Sequence, residues 1–352
     1  MRNGGRLLVE CLVALGATKS FGVPGESYLA VLDALHDADG ALDYVLCRNE
    51  AGAAFMASAC GKLTGSPGIC FVTRGPGAAN ASVGVHTAMQ DSSPMILFVG
   101  QAGTDMKGRE AFQKIDCRAV FGTVAKWAVE IDDAARLPEI VARAWTTALT
   151  GRPGPVVVAL PEDMPTMATG AAVLGGPVRI SEPAPHADAV DAARATLAAA
   201  RRPAMLVGDA NWTGRGRAAL QAFAEASDIP VVAAFRFQDQ FDNNSPVFAG
   251  EAGVGMAAHV KALIRAHQER SYPARVSGTT LANPDFAALA RTYGFHAERV
   301  EATDGFAAAF ERAHESETGA VLDIAVSPGA LPPRQTLSQM RDAALASQKA
   351  KA

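Results

Sequence analysis

The segment GICFVTRGPGAANASVGVHTAMQ, residues 68–90, contains the pattern that decides the fold. Its apolar run at 68–73 predicts a buried strand, the glycines and proline at 74–77 predict a turn, and the alanine-rich residues 78–90 predict a helix. Similar strand-to-helix units recur through the first 165 residues. Short apolar strands between helices are typical of a parallel sheet covered on both faces, so we predict an α/β fold with a doubly wound parallel sheet.

Other elements follow from the same reading. Apolar spacing predicts an amphipathic helix at 7–16, and helices are predicted near 108–121 and 133–149. Residues 166–188 are rich in Gly, Ala and Pro, which favours a linker. A second, partial α/β domain is predicted at 189–266. The alternation of helix and strand signals is weaker over 267–335, which we predict to be a separate segment. Residues 336–352 are predicted to be a terminal tail.

The composition is that of an ordinary globular protein. The chain has 352 residues, 49% of them hydrophobic, and a formal net charge of -4. Its basic residues form no stripe, so we expect no nucleic acid partner. No stretch reaches the ~18 uninterrupted apolar residues that cross a bilayer, so we expect no membrane insertion. Five cysteines without a CxxC pair are typical of a reducing cytoplasm, which is the predicted location.

Glu50 is the first candidate for chemistry. It follows a short apolar strand at 44–47 and begins a predicted helix at 50–64. A carboxylate there would lie at the carboxyl edge of a parallel sheet, where open α/β folds bind ligands. The same position also suits a glutamate that does no more than compensate the helix dipole, and the pattern alone leaves both interpretations open.

Two glycine-containing loops follow other predicted strands. They are FGVPGE at 21–26 and TRGPGAAN at 73–80. Glycine lets a backbone approach a ligand closely, and a helix that starts beyond such a loop offers free N–H groups. Either loop, taken alone, is equally well explained as a tight turn. No GxGxxG follows Gly208, so a dinucleotide fingerprint is absent and a dehydrogenase is disfavoured.

Five motifs taken in order are far more specific than any one of them. They are VPGES (23–27), RNEAGAAFMA (48–57), VTRGPGAANASVGVHTAMQDSSPMI (72–96), AFQKIDCRAVFGTVAKW (111–127) and RPGPVVVALPED (152–163). This order resembles the pyrimidine-binding domain of the thiamine diphosphate (ThDP) enzymes, in the acetolactate synthase large-subunit group. The resemblance covers essentially all of residues 5–165 and continues as that family's central domain over 189–266.

The resemblance implies an enzyme that decarboxylates or joins 2-keto acids such as pyruvate, as a homodimer or homotetramer. In that family the glutamate matched by Glu50 hydrogen-bonds the aminopyrimidine ring of ThDP and activates the cofactor, while Mg²⁺ holds the diphosphate. Another ThDP-dependent 2-keto acid decarboxylase is the alternative within the family. The motif match assigns a cofactor pocket to Pro24, Gly25, Glu26, Gly75, Pro76 and Asn80, a substrate-side position to Gln113, and a contact with FAD, an optional further cofactor, to Arg152.

Two departures limit what the resemblance implies. Asn49 stands where many relatives have His, which puts a specific acetolactate synthase activity in doubt but not the use of ThDP. The chain also lacks the Gly-Asp-Gly and Asn-Asn pair that ligates Mg²⁺ in the family, so we predict no metal ligands in it. The pairs Gly208-Asp209 and Asn243-Asn244 are too far apart to replace it.

The missing metal motif points to an internally shortened chain. Residues 267–286 resemble a late part of the family's diphosphate-binding domain, and the match changes register near Ala266. We therefore interpret 267–335 as a remnant of that domain, with roughly 150 residues or more absent before it. The expectation is a half-site that binds ThDP–Mg²⁺ weakly and lacks carboligase activity alone. The alternative is a non-catalytic subunit that pairs with a full-length paralogue.

Overall fold

The apolar run Gly68–Thr73 forms a strand with a parallel neighbour on each side. Five of its six residues are buried, as expected of a strand that helices cover on both faces. The computed structural model describes residues 2–174, 176, 178, 180–181, 184–208, 212–252, 260–278, 284–325, 330–331 and 335–349. The chain forms two units, residues 1–250 and 251–352.

The first unit contains eight α-helices and eleven strands among the described residues, the last strand ending just beyond it. Its strands are β1 (Arg2–Asn3), β2 (Lys19–Gly22), β3 (Asp43–Leu46), β4 (Gly68–Thr73), β5 (Met95–Gln101), β6 (Trp127–Glu130), β7 (Pro155–Pro161), β8 (Ala168–Thr169), β9 (Met205–Val207), β10 (Val231–Ala234) and β11 (Phe248–Ala252). Its helices are α1 (Gly4–Ala14), α2 (Leu29–Asp37), α3 (Glu50–Thr64), α4 (Arg74–Gln90), α5 (Cys117–Phe121), α6 (Leu137–Leu149), α7 (Ala187–Ala199) and α8 (Gly214–Ala226).

The main sheet has six strands in the order β3-β2-β4-β5-β7-β6, and every pairing is parallel. After β2 the chain moves outward to β3 and then returns to the other side of β2 to form β4. Such a reversal leaves a crevice at the carboxyl ends of the two strands that flank it. The sheet confirms the predicted α/β class with a doubly wound parallel sheet.

Alternate residues of the strands supply two hydrophobic cores, one on each face of the sheet. Phe71 and Phe98 point to the face covered by α1, α2 and α6, where their rings stack with centroids 4.9 Å apart. Cys70 and Val72 point to the opposite face, covered by α3, α4 and α5. The helix that carries Glu50 therefore rests on the second core.

Helices α3 and α4 pack closely because small residues line their contact. A Cβ atom added at Gly84 would lie 2.5 Å from the Ala54 Cβ and 2.8 Å from the Ala54 carbonyl carbon. A Cβ at Gly61 would collide with the backbone oxygen of Pro94. The absence of a side chain at Gly84 sets the separation of the two helices, and its absence at Gly61 lets α3 approach the segment before β5.

A smaller sheet completes the first unit. Its strand order is β11-β10-β9, and β9 and β10 pair in parallel. Its core is small and includes Val207, Val231 and Phe241. Lys62 on α3 donates a hydrogen bond of 2.7 Å to the backbone oxygen of Arg236, which follows β10. This contact joins the smaller sheet to α3.

The second unit contains short elements. They are α9 (Val260–Ser271), α10 (Phe286–Thr292), β12 (His296–Val300), α11 (Phe306–His314), β13 (Ala320–Ile324), β14 (Ala330–Leu331), β15 (Gln335–Thr336) and α12 (Leu337–Lys349). Strands β12 and β13 pair in parallel over five residues, with Glu298 and Leu322 at the centre of the register. Arg312 on α11 holds the Glu298 carboxylate through two hydrogen bonds, of 2.7 and 2.6 Å.

Two local predictions are wrong, and one strand was not predicted. The turn predicted at 74–77 is the first turn of α4, where Pro76 is tolerated because N–H groups at a helix start have no intrahelical partner. Of the helix predicted near 108–121, only 117–121 is α-helical among the described residues, after a short 3₁₀ turn at Thr104–Met106. Strand β6 (Trp127–Glu130) was not predicted.

Two other sequence features can be located in the structure. All five cysteines are free thiols, and four of them are buried. Among the described residues, none of the helices combines the length and the apolar character that a membrane span requires.

Candidate active site

The carboxyl ends of β2, β3 and β4 bring three loops to one crevice of the main sheet. The loop after β2 contains Pro24, Gly25 and Glu26, the loop after β3 leads into α3, and β4 passes directly into α4. These are the strands around the reversal in strand order, where ligands bind in folds of this class. The loop that follows β5 contributes Gln113 to the same edge.

Glu50 is the first residue of α3. Asn49 caps this helix, since its side-chain oxygen accepts a hydrogen bond of 2.9 Å from the Ala51 N–H. The carboxylate of Glu50 lies at the positive end of the helix dipole, which stabilises its charge. Asn49, the residue that departs from the family pattern, therefore has a structural role as the helix cap.

The two carboxylate oxygens of Glu50 have different surroundings. Asn80 on α4 donates a hydrogen bond of 2.9 Å from Nδ2 to Oε2. Among the described residues, Oε1 accepts no hydrogen bond, and it would lie 3.6 Å from a Cβ added at Gly77. Glycine at position 77 leaves space beside this oxygen. One oxygen is thus held by the protein, while the other faces open space.

The loop after β2 is held against the start of α4. A Cβ at Gly25 would approach the Thr73 Oγ1 to 2.7 Å, so this position requires glycine. Ser27 and Thr73 share a hydrogen bond of 2.6 Å between their hydroxyl groups. Tyr28 donates a hydrogen bond of 2.5 Å to the backbone oxygen of Val23. The exposed Pro24 lies in this fixed loop.

Arg74 is a central residue that the sequence analysis missed. Its guanidinium is nine-tenths buried and pairs with Glu26 at 3.1 Å and with Glu162 at 2.8 Å. The Glu26 carboxylate is therefore occupied by an arginine. Glu162 follows β7, so one side chain connects loops from three strands. No motif could reveal this contact, since Arg74 and Glu162 are 88 residues apart in the chain.

Gly75 and Gln113 are in direct backbone contact at the same edge of the sheet. The Gly75 N–H donates a hydrogen bond of 2.7 Å to the Gln113 backbone oxygen. A Cβ at Gly75 would lie 2.8 Å from that oxygen and 2.8 Å from the Ile115 side chain, so glycine is needed for this approach. The side chains of Gln113 and Pro76 are both exposed. The structure thus brings Gln113 to the same crevice as the other predicted pocket residues.

Arg152 lies elsewhere. Its guanidinium donates hydrogen bonds to the Ser92 hydroxyl (2.8 Å) and to the backbone oxygens of Met89 (2.8 Å) and Gln90 (3.2 Å). These groups end α4 and precede β5, and Arg152 itself precedes β7, so Arg152 is at the amino edge of the sheet, opposite Glu50. A basic side chain on the last carbonyl groups of a helix is a structural cap. These contacts give no support to an FAD site at Arg152.

Neutral groups lie near Glu50 on the inner side of the crevice. Burial raises the pKa of the Tyr44 hydroxyl to about 12. Burial, which dominates over the nearby charges, also raises the pKa of the Tyr28 hydroxyl and of the Cys70 thiol. These three groups stay protonated near neutral pH. The inner side of the crevice therefore carries no charge from these three groups near neutral pH.

The described residues give no counterpart for the metal half of a cofactor site. Among them, no group of three or more His, Cys, Asp or Glu side chains could hold a metal ion. Asn244 bonds to the carboxylate of Asp242 through its backbone N–H, at 2.9 Å. Asp209 lies outside the described residues. The open Oε1 of Glu50 beside Gly77 would suit the aminopyrimidine end of ThDP, whereas no His, Cys, Asp or Glu cluster among the described residues would serve its diphosphate end.

Comparison with known proteins identifies three successive family domains in this chain. Residues 2–120 match the N-terminal TPP binding domain of the thiamine pyrophosphate enzymes, residues 190–268 match their central domain, and residues 255–324 match their C-terminal TPP binding domain. The chain belongs to the thiamine pyrophosphate enzyme family. Thiamine pyrophosphate is ThDP, so the family predicted from the five ordered motifs is confirmed.

Among members of this family, acetolactate synthases are similar to the chain. The acetolactate synthase isozyme 2 large subunit of Escherichia coli K12 is 33% identical over 72% of this chain and 45% of its own length. The acetolactate synthase of Bacillus subtilis 168 is 32% identical over 71% of this chain and 45% of its own length. The large subunit from Lactococcus lactis is 31% identical over 80% of this chain and 50% of its own length. The chain spans half or less of the length of these relatives.

Proposed function

We propose that this chain is a ThDP-dependent enzyme of the acetolactate synthase type, acting on 2-keto acids such as pyruvate, and that it supplies the pyrimidine half of the cofactor site. The observation that carries the proposal is the Glu50 carboxylate at the carboxyl edge of the sheet, with Asn80 on one oxygen and open space at the other. The similarity to acetolactate synthases supports the substrate class.

Each residue of the crevice has a defined task in this proposal. Oε1 of Glu50 shares a proton with the ring nitrogen of the aminopyrimidine, while Asn80 holds Oε2 and so fixes the carboxylate plane. Glycine at position 77 gives the flat ring room to approach Oε1, and glycine at position 25 lets the loop after β2 lie against Thr73. Gln113 faces the 2-keto acid. When bound, ThDP supplies the thiazolium ring that serves as an electron sink for decarboxylation.

The diphosphate half is the incomplete part of the proposal. We infer that a segment is missing near Ala266. The central-domain match ends at residue 268 and the C-terminal match begins at residue 255, so the two meet around this point, and the match covers only 45% of a similar synthase. The 267–335 segment then remains as a remnant without the Mg²⁺ ligands. Alone, the chain binds ThDP–Mg²⁺ weakly and lacks carboligase activity.

The proposal also covers the oligomeric state, the domain boundaries and the cellular location of the chain. A homodimer or homotetramer is expected from the family resemblance, with the pyrimidine half of one chain facing the diphosphate half of another. The domain boundaries at 165, 188, 266 and 335 and the cytoplasmic location stay predictions. FAD stays an optional further cofactor of the proposal, and Arg152, the residue matched to the family's FAD contact, caps α4 in this chain.

A calorimetric titration with ThDP–Mg²⁺ tests the half-site. We expect the chain to bind with a dissociation constant weaker than about 1 mM, corresponding to no more than about 4 kcal/mol of binding free energy. Micromolar binding would contradict the half-site. Titration of the Glu50→Gln variant is the matched control, since it keeps the size and the Asn80 contact but cannot share a proton.

The enzyme type is tested by complementation. The chain is mixed or co-expressed with a full-length acetolactate synthase whose own matching glutamate is replaced by glutamine, and pyruvate consumption is measured. Activity that appears with the wild-type chain and disappears with Glu50→Gln supports the proposed role. Activity that is equal with both forms of the chain, or absent although the two chains co-purify, contradicts it.

A further inference from the structure

Arg74 connects more of the crevice than any motif residue does. It is the first residue of α4, and its side chain reaches Glu26 after β2 and Glu162 after β7. Its guanidinium carbon also lies 5.9 Å from the centre of the Phe112 ring, in the loop that carries Gln113. Three loops of the carboxyl edge therefore converge on one buried cation.

The backbone at this point is unusual. Arg74 has φ of +44°, in the left-handed region where a side chain is disfavoured and glycine is preferred. Two residues of the neighbouring loop, Glu110 and Gln113, also have positive φ, of +50° and +59°. Strained residues persist where surrounding contacts over-determine them, and they cluster at functional sites. An arginine that keeps a glycine conformation in this crevice therefore has a side chain whose contacts outweigh the strain.

The contacts of Arg74 lead to both sides of the candidate pocket. Through Glu26 it holds the loop that contains Pro24 and Gly25, and through Phe112 it holds the segment where Gln113 accepts the hydrogen bond from Gly75. As the first residue of α4, it also sets the entry of the helix that presents Asn80 to Glu50. Together with α4, these loops contain all the predicted pocket positions except Glu50 and Arg152.

We propose that Arg74 is the positioning residue of the pyrimidine pocket. Its side chain holds in place, or seats, both the cofactor-side loop, residues 23–26, and the substrate-side loop, residues 107–116. This inference rests on the proposed function for its consequence in catalysis, but the seating itself is a property of the chain without cofactor. It assigns to Glu26 and Glu162 the role of anchors for Arg74, and it predicts that losing the guanidinium loosens two loops that are distant in sequence.

Hydrogen–deuterium exchange on the cofactor-free chain tests the seating. In Arg74→Ala we expect exchange in both loops to accelerate by about tenfold or more, as expected when a buried ion pair loses one partner. Amides of β5 and β7 should keep their wild-type exchange. Trypsin offers a second measurement, because Lys107, Arg109 and Lys114 lie in the substrate-side loop and should be cleaved faster. Unchanged exchange in either loop would overturn the proposal.

Arg74→Gly separates the side chain from the backbone strain. Glycine relieves the positive φ, so a purely local structural role predicts a variant at least as stable as wild type with both loops unchanged. Seating by the guanidinium predicts that both loops loosen although the backbone is relaxed. Asp228→Gly is the matched control, since Asp228 also has positive φ, of +50°, and is exposed away from the crevice. It should leave both loops unchanged.

Conservative variants test the ion pairs. Arg74→Lys keeps the charge and should restore part of the protection, while Glu162→Gln should loosen the substrate-side loop through a less firmly held Arg74. Seating by ion pairs would be contradicted if Arg74→Lys restored no protection from exchange and Glu162→Gln left the exchange of both loops unchanged. In the complementation assay, Arg74→Ala should lower activity at least about tenfold. If the wild-type chain is inactive there but the exchange pattern holds, the enzyme type fails and the seating stands.

Discussion

Replacing Gly84 with Ala should separate the two helices that hold Glu50 and Asn80. The added methyl group would lie 2.5 Å from the Ala54 Cβ, whereas carbon atoms in ordinary contact are about 3.5–4.0 Å apart, so α3 and α4 must move apart by about 1 Å. Overpacking of this kind costs about 1–3 kcal/mol, and the higher helix propensity of alanine returns about 1 kcal/mol. We expect a net loss of about 0–2 kcal/mol in the free energy of unfolding.

Urea denaturation monitored by circular dichroism measures this loss, and two further variants act as controls. Gly52 is an α3 glycine whose added Cβ would meet nothing within 4 Å, so Gly52→Ala should stabilise the chain by up to about 1 kcal/mol. The exchange Ala54→Gly with Gly84→Ala moves the methyl group across the contact and should recover at least about 1 kcal/mol relative to the sum of the single variants. A stabilising Gly84→Ala, or strict additivity in the double variant, would refute the packing argument.

Other expectations concern the helix cap, an ion pair and the thiols. Asn49→Ala removes the α3 cap and should cost about 1 kcal/mol in urea denaturation, whereas Asn49→Ser should be close to neutral. Hydrogen bonds from Arg312 hold the pKa of Glu298 at about 2, below its ordinary 4.5, so this pair stabilises the second unit above pH 4.5 and is lost as pH falls towards 2. Hydrogen exchange of β12 should show that acid dependence in wild type and lose it in Glu298→Gln. Burial raises the pKa of Cys11 and Cys117 to about 11, so a thiol reagent at pH 8 should react first with the half-buried Cys60, and Cys60→Ser should abolish the fast phase.

The parts of the fold set by local pattern were predictable from the sequence. The strand at 68–73 and the helix at 50–64 have the bounds that their apolar runs and glycines indicate. The start of α4 was not predictable in the same way. Gly75-Pro76-Gly77 has turn composition, but a proline in the first helical turn costs nothing because that N–H has no partner in the helix.

The candidate site was predictable to the extent that motifs carry it. Glu50 and Asn80 come from motifs 30 residues apart, and the structure places them in hydrogen-bond contact. Arg74 lies in a motif, but the motif does not mark it as a central residue, because Glu162 becomes its neighbour only when β7 joins the sheet. Arg152 shows the converse. A residue matched by motif can lie at the other edge of the sheet, since motif order does not say which strand end a residue occupies.

The position of β7 has a consequence for how the chain can fold during its synthesis. It is the last strand of the main sheet to be made, yet it lies between β5 and β6. Until residue 161 has left the ribosome, β5 presents an unpaired apolar edge and β6 has no strand beside it. The nascent chain therefore carries an aggregation-prone intermediate through the synthesis of about 60 residues after β5. Ribosome pausing or chaperone binding while residues 101–161 are synthesised would act on that intermediate. A variant that slows the pairing of β7 with β5 and β6 would reduce the yield of folded protein without altering the folded structure.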